Sequence, residues 1–260
     1  MINIGGATLL YYFTDIEYLA VENYTLYMMK SGIPIYLILV LIIAGCSKEE
    51  AIVNSPSLFT SLESSKTGVH FSNEIKDDET RNILLYANFY GGAGVGVGDF
   101  NKDGLEDLYF AGNIVSDRLY LNKGNLEFED VTKTAGLVND GGWSTGVTVA
   151  DINNDGSLDI YITRELYDDK PEWRANLLYI NRGDGTFEES AEKYGVADEQ
   201  RTRHATFFDY NKDGFLDLFL LTQPPNPGTY SEYKGTTLLK PEYHIKLMKN
   251  TGNGFFVDVS

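Results

Sequence analysis

A single cysteine, Cys46, gives this chain no means of building an internal disulfide framework, so its thiol must be explained by position. Histidine is nearly as scarce. His70, His204 and His244 are the only three, and none has the HExxH spacing of a zinc protease. No GxSxG, P-loop or dinucleotide fingerprint is present, and the glycines of GGAGVGVG fit close packing of strands better than phosphate binding. Basic residues are few, 21 against 38 acidic, and the net charge of -17 repels phosphate backbones. The one basic cluster, Arg201, Arg203 and His204, falls short of the roughly 5–8 residues of a nucleic-acid patch. No nucleic-acid partner and no catalysis are therefore expected. No apolar run reaches the roughly 20 residues of a membrane-spanning helix.

The longest apolar run, IPIYLILVLIIA from Ile33 to Ala44, has the length of a signal-peptide core and leads into Gly45 and Cys46. IAGC resembles the lipobox of bacterial lipoproteins, which implies that Cys46 is lipidated and begins the mature chain. Residues 1–28 carry Asp15, Glu17 and Glu22 and no basic residue, whereas Lys30 follows Met29 directly. Residues 1–28 are thus expected to be a mis-called start or an extension, 29–45 a lipoprotein signal peptide, and 46–66 a polar tether. Glu49 and Glu50 resemble an acidic surface-export signal. The expected location is a bacterial outer membrane with surface display, held there by acyl chains at about 0.8 kcal/mol per buried CH2.

Past the tether, one phrase recurs. DFNKDGLEDL, DINNDGSLDI and DYNKDGFLDL start at Asp99, Asp151 and Asp209, intervals of 52 and 58 residues. A second phrase travels with it, aligning Asn122, Asn181 and Asn250, each with Phe six positions later (Phe128, Phe187, Phe256). Apolar segments of strand character flank each acidic phrase, and an Asn/Gly turn closes a hairpin after it. The pattern predicts an all-β fold, a partial β-propeller of about three four-stranded blades at about 90–138, 142–197 and 202–260 within a domain of 67–260. The spacing between the two phrases varies, and the longest insertion, about 223–243, is a candidate partner-contact loop.

Within each acidic phrase, three carboxylates and an amide oxygen fall at positions 1, 3, 5 and 9. Such crowding calls for a cation, and calcium takes six to eight hard oxygens at about 2.3–2.6 Å. The expected ligands are Asp99, Asn101, Asp103 and Asp107; Asp151, Asn153, Asp155 and Asp159; and Asp209, Asn211, Asp213 and Asp217. The position-7 backbone carbonyls of Leu105, Ser157 and Phe215 complete about three Ca2+ sites, with Gly104, Gly156 and Gly214 making the turn. An EF-hand would place Glu at position 12, where this chain has Phe110, Ile162 and Leu220.

GVGVGDFNKDGLEDLYFAGN and its echoes resemble FG-GAP/VCBS repeats of integrin-α-like β-propellers, and LYLNKGNLEFEDVTKTAGL is similar to ASPIC/UnbV-associated proteins, relatives of cartilage acidic protein. The resemblance covers about Thr67 to Ser260. It implies that each acidic loop joins the first two strands of a blade, and that three blades form an open arc or a fragment of a seven-bladed ring. VHFSN near Phe71 is expected to supply an outer strand. The expected role is a calcium-binding, lipid-anchored module that binds a protein or glycan ligand at the cell surface, with association through open propeller edges. The alternative is an accessory or catalytic part of a polysaccharide-processing system.

Overall fold

A computed structural model describes residues 58–137, 141–167, 170–223 and 245–260. The expected start, signal peptide, Cys46 and most of the tether lie outside the described residues, as does nearly all of the 223–243 insertion. The fold below is that of the unit Ser61–Ser260. Among the described residues, no helix is long and apolar enough to cross a membrane.

Among the described residues, twelve strands form three four-stranded antiparallel sheets, each a meander. The first blade holds β1 (Val95–Gly98), β2 (Asp107–Phe110), β3 (Arg118–Asn122) and β4 (Phe128–Asp130). The second holds β5 (Ser144–Ala150), β6 (Asp159–Arg164), β7 (Leu177–Asn181) and β8 (Phe187–Glu189). In the third are β9 (Arg201–Phe208), β10 (Asp217–Gln223), β11 (Lys246–Asn250) and β12 (Phe256–Asp258). The innermost strands stand side by side, β5 between β1 and β9, so the blades make an arc and not a closed ring.

Position in the arc explains strand patterning. The second blade has a neighbour on each side, and every residue of β6 is buried. Strand β2 has one neighbouring blade, and its burial alternates residue by residue. Ile160, Ile162 and Tyr179 pack toward the first blade with Tyr109, Leu119 and Phe187. Tyr161 and Leu178 pack toward the third with Leu218, Leu220, Met248 and Phe256. Each fully buried aliphatic side chain contributes about 1.5–3 kcal/mol.

Close approach of blades requires small residues. A β-carbon on Gly94 would lie 2.5 Å from the backbone nitrogen of Val147, and one on Gly96 would lie 2.7 Å from Val147 Cγ1. On the other side of β5, beside Gly146, threonine hydroxyls bridge to the β9 backbone. Thr145 Oγ1 donates to Thr202 O and Thr148 Oγ1 to Ala205 O, both at 2.7 Å.

The segments after β4 and β8 wedge between blades. Ala135 and Leu137 enter the first inter-blade core, and Phe187 N donates to Ala135 O at 2.9 Å. The chain has three short helices, α1 (Ser64–Thr67), α2 (Pro171–Arg174) and α3 (Ala191–Tyr194), among the described residues, and the counterparts are Ala191 and Tyr194 of α3 and the following Val196.

One expectation needs correction, because VHFSN forms no strand. It lies on the open face of the first blade through side chains. Phe71 stacks on Phe110 with ring centroids 5.1 Å apart. Asn73 Nδ2 donates to Asn113 Oδ1 at 2.7 Å, and Asn113 N donates to Asn73 Oδ1 at 3.0 Å. Side-chain bonds thus replace the backbone ladder that a strand would need.

Substituting Gly94 with Ala forces β1 away from the β5 backbone and is expected to cost about 1–3 kcal/mol. The check is the urea unfolding midpoint. An unchanged midpoint would mean that β1 and β5 do not approach this closely.

Candidate functional site

The three acidic phrases are the β1–β2, β5–β6 and β9–β10 loops, all at one end of the arc. Each loop builds the same network. The first aspartate accepts from two backbone N–H groups: Asp99 from Asp103 at 3.0 Å and Gly104 at 2.8 Å, Asp151 from Asp155 at 3.0 Å and Gly156 at 2.8 Å. Asp209 repeats this with Asp213 at 3.1 Å and Gly214 at 2.9 Å. The asparagine at position 3 accepts from the same position-5 N–H, and its Nδ2 donates to the position-5 carboxylate at 2.8–2.9 Å. That carboxylate accepts from the position-7 N–H of Leu105, Ser157 or Phe215 at 2.9, 2.7 and 3.1 Å.

Two backbone positions make the turn. The glycines at position 6 have φ of 81–88°, a region that L side chains resist. Lys102, Asn154 and Lys212 at position 4 are also left-handed, with φ of 60–62°.

The ninth residue differs from the others. Asp107, Asp159 and Asp217 are fully buried. Asp159 Oδ2 accepts from Ile152 N at 2.9 Å, and Oδ1 accepts from Asn181 N on β7 at 2.9 Å. Asp107 holds Phe100 N and Asn122 N, and Asp217 holds Tyr210 N and Asn250 N, in the same way. Burial pushes Asp159 up to about 6, with Asp155 and Asp151 adding repulsion against the pull of the two N–H groups. Burial likewise raises Asp107, again with the other two aspartates of its loop contributing.

The asparagines on β3, β7 and β11 complete the tie. Asn122 Nδ2 donates to Glu106 O at 2.9 Å, Asn181 Nδ2 to Leu158 O at 3.2 Å, and Asn250 Nδ2 to Leu216 O at 3.2 Å. Their Oδ1 atoms accept from Gly124, Gly183 and Gly252, each at 2.9 Å, and start the next turn. Asn181 Nδ2 also reaches Phe100 O of the first blade at 2.8 Å. Sequence reasoning aligned these asparagines without giving them a role; the signal was their fixed place in every repeat.

Hydrogen bonds join positions 1, 3, 5 and 7 within each loop, the last through its N–H, and position 9 meets the loop through the N–H of position 2. Among the described residues, no three His, Cys, Asp or Glu side chains are gathered as a cage. The donor set nevertheless fits a hard cation. Every candidate is an oxygen, a carboxylate oxygen has lone pairs beyond one N–H bond, and the three carboxylates of a loop repel one another where no cation compensates them. Cys46 lies outside the described residues.

The family model described as FG-GAP-like repeat matches residues 99–162 and 168–220, the stretch that carries the acidic loops and the antiparallel sheets around them. The chain is also similar to cartilage acidic protein 1 of Homo sapiens, 32% identical over 158 residues, or 56% of this chain and 23% of the relative. The Mus musculus protein of that name is 29% identical over the same share. The chain thus spans about a quarter of the length of these relatives.

Removing the Asn181 side chain deletes its bonds to Phe100 O, Leu158 O and Gly183 N at a buried place, an expected loss of about 3 kcal/mol. Asn250→Ala, which breaks no bond between blades, should cost less. Urea unfolding of both variants measures the difference, and an equal or smaller loss for Asn181→Ala would contradict the tie.

Proposed function

We propose that this chain is a calcium-binding, lipid-anchored, exported β-propeller module for ligand binding or adhesion, acting by binding and not by catalysis. What supports calcium is the threefold recurrence of one oxygen-rich loop whose ninth carboxylate is buried beside two others. The ligands are Asp99, Asn101, Asp103 and Asp107, with their counterparts at 151, 153, 155 and 159 and at 209, 211, 213 and 217. The carbonyls of Leu105, Ser157 and Phe215 join them. The bound cation offsets the repulsion within each loop and pins the hairpin that carries it, leaving the blades to present a rigid surface to a protein or glycan. Affinities of about 10⁻⁴–10⁻³ M serve an extracellular module.

Export and anchoring rest on the run from Ile33 to Ala44 and on Cys46. The open face of the third blade, with Phe208 and Leu221 each about two-fifths exposed, is where association through a propeller edge would occur.

Calorimetric titration of the full chain with calcium should give about three sites, and saturation at about 100 Kd should stabilise each site by about 2.7 kcal/mol. Absence of heat, or a melting temperature unmoved by chelator, would remove the metal from the proposal. Separately, Cys46→Ser should abolish incorporation of labelled fatty acid and release the protein from the membrane fraction of a bacterial host. Unchanged labelling would overturn the anchor.

A further inference from the structure

The two inter-blade junctions are built from the same repeat but carry different side chains at matched places. At the first junction, Tyr179 is buried against Leu137 and Ile162, and Leu177 packs beside it. Aligning Asn181 with Asn250 puts Met248 where Tyr179 stands and Lys246 where Leu177 stands. Val196 takes the place of Leu137, and Asp258 that of Glu189. The smaller and more flexible residues leave a cleft of about 360 Å3 at the second junction, lined by Val196, Leu220, Met248, Lys246, Asp198 and Asp258, with Glu192 at its edge. That volume is in the lower range of small-molecule sites.

Its walls are fixed and its charge is one-sided. The Tyr161 hydroxyl donates to Val196 O at 2.8 Å, which holds the linker wall in place. Three carboxylates, Glu192, Asp198 and Asp258, face one ammonium, Lys246, which is already paired with Asp198. Ser260 donates to Asp258 through its backbone N–H at 2.9 Å and its hydroxyl at 2.7 Å, which favours the ionised form of that carboxylate. An apolar floor beneath surplus negative charge suits a cation carried on an aliphatic stem, and Lys246 shows that one alkylammonium is accommodated there.

We propose that the cleft between the second and third blades binds an aliphatic ammonium, its stem on Met248, Leu220 and Val196 and its charge at Asp258 and Glu192. Two sources share this chemistry, a free polyamine and the lysine side chain of a partner protein. The site is independent of the calcium loops.

Calorimetry of the full chain, with calcium held constant, uses 1,5-diaminopentane and Nα-acetyl-lysine methylamide as probes, and pentanoate as an anion of similar apolar length. At least one amine should bind with a Kd of about 1 mM or tighter, and pentanoate should not. Binding of the diamine alone assigns the site to free polyamines, binding of the lysine amide alone to a partner's lysine, and binding of both upholds the ammonium chemistry. Met248→Tyr, which refills the cleft as Tyr179 fills its sibling, and Asp258→Asn, at an exposed position, should each weaken binding about tenfold. Neither should lower the melting temperature appreciably. Silence with both amines, equal binding of pentanoate, or undiminished affinity in both variants would overturn the proposal.

Discussion

A carboxylate withdrawn from water and held by two backbone N–H groups sits at the ninth position of every acidic loop, and one of those donors belongs to a different hairpin from the loop itself. Asp107, Asp159 and Asp217 each join the residue after the loop's first aspartate to an asparagine on the third strand of the blade. The asparagine returns a side-chain bond to the loop and opens the turn that follows. This reciprocity explains why two phrases, distant in sequence and separated by insertions of unequal length, recur together. The insertion between them can vary because the tie is made at its two ends.

At Asp107 and Asp159 burial outweighs the two N–H bonds and holds the carboxyl above the usual carboxylate range. The remaining field points into the loop, where two more carboxylates stand. Fold and proposed metal chemistry are coupled at this residue. The charge that pins the hairpin also makes the loop favourable for a cation. At the other end of the arc, polar groups are buried without such repetition. Glu165 pairs with Arg203 beneath Tyr86, while Tyr86 and Phe89, from the segment before β1, pack on Trp143. Asn88 reaches Gln223 of the third blade. That segment links the start of the first blade to the third.

Repetition made the blades legible in the sequence. Strand edges, loop residues and hairpin turns recur at matched places, so three copies disclosed what one would have left ambiguous. Features that occur once left no such trace. Phe71 on Phe110, Tyr86 over Trp143 and the bond between Asn88 and Gln223 are tertiary contacts between non-repeating segments, and VHFSN, expected as an outer strand, is an irregular chain held by side-chain bonds. The cleft at Met248 was written in the alignment as a difference between copies, but its consequence needed the geometry of both junctions. The left-handed residue at position 4 was hidden because Lys and Asn both fill it, and only Asn is commonly associated with that conformation.

The central claim is that the clustered oxygens of each loop hold a divalent cation, and a crystal structure grown from calcium-containing solution tests it most directly. The account predicts, in each loop, a metal at about 2.3–2.6 Å from the side-chain oxygens of positions 1, 3, 5 and 9 and from the position-7 carbonyl. Loops containing only water, with their aspartates bonded to nothing but their own backbone, would contradict it.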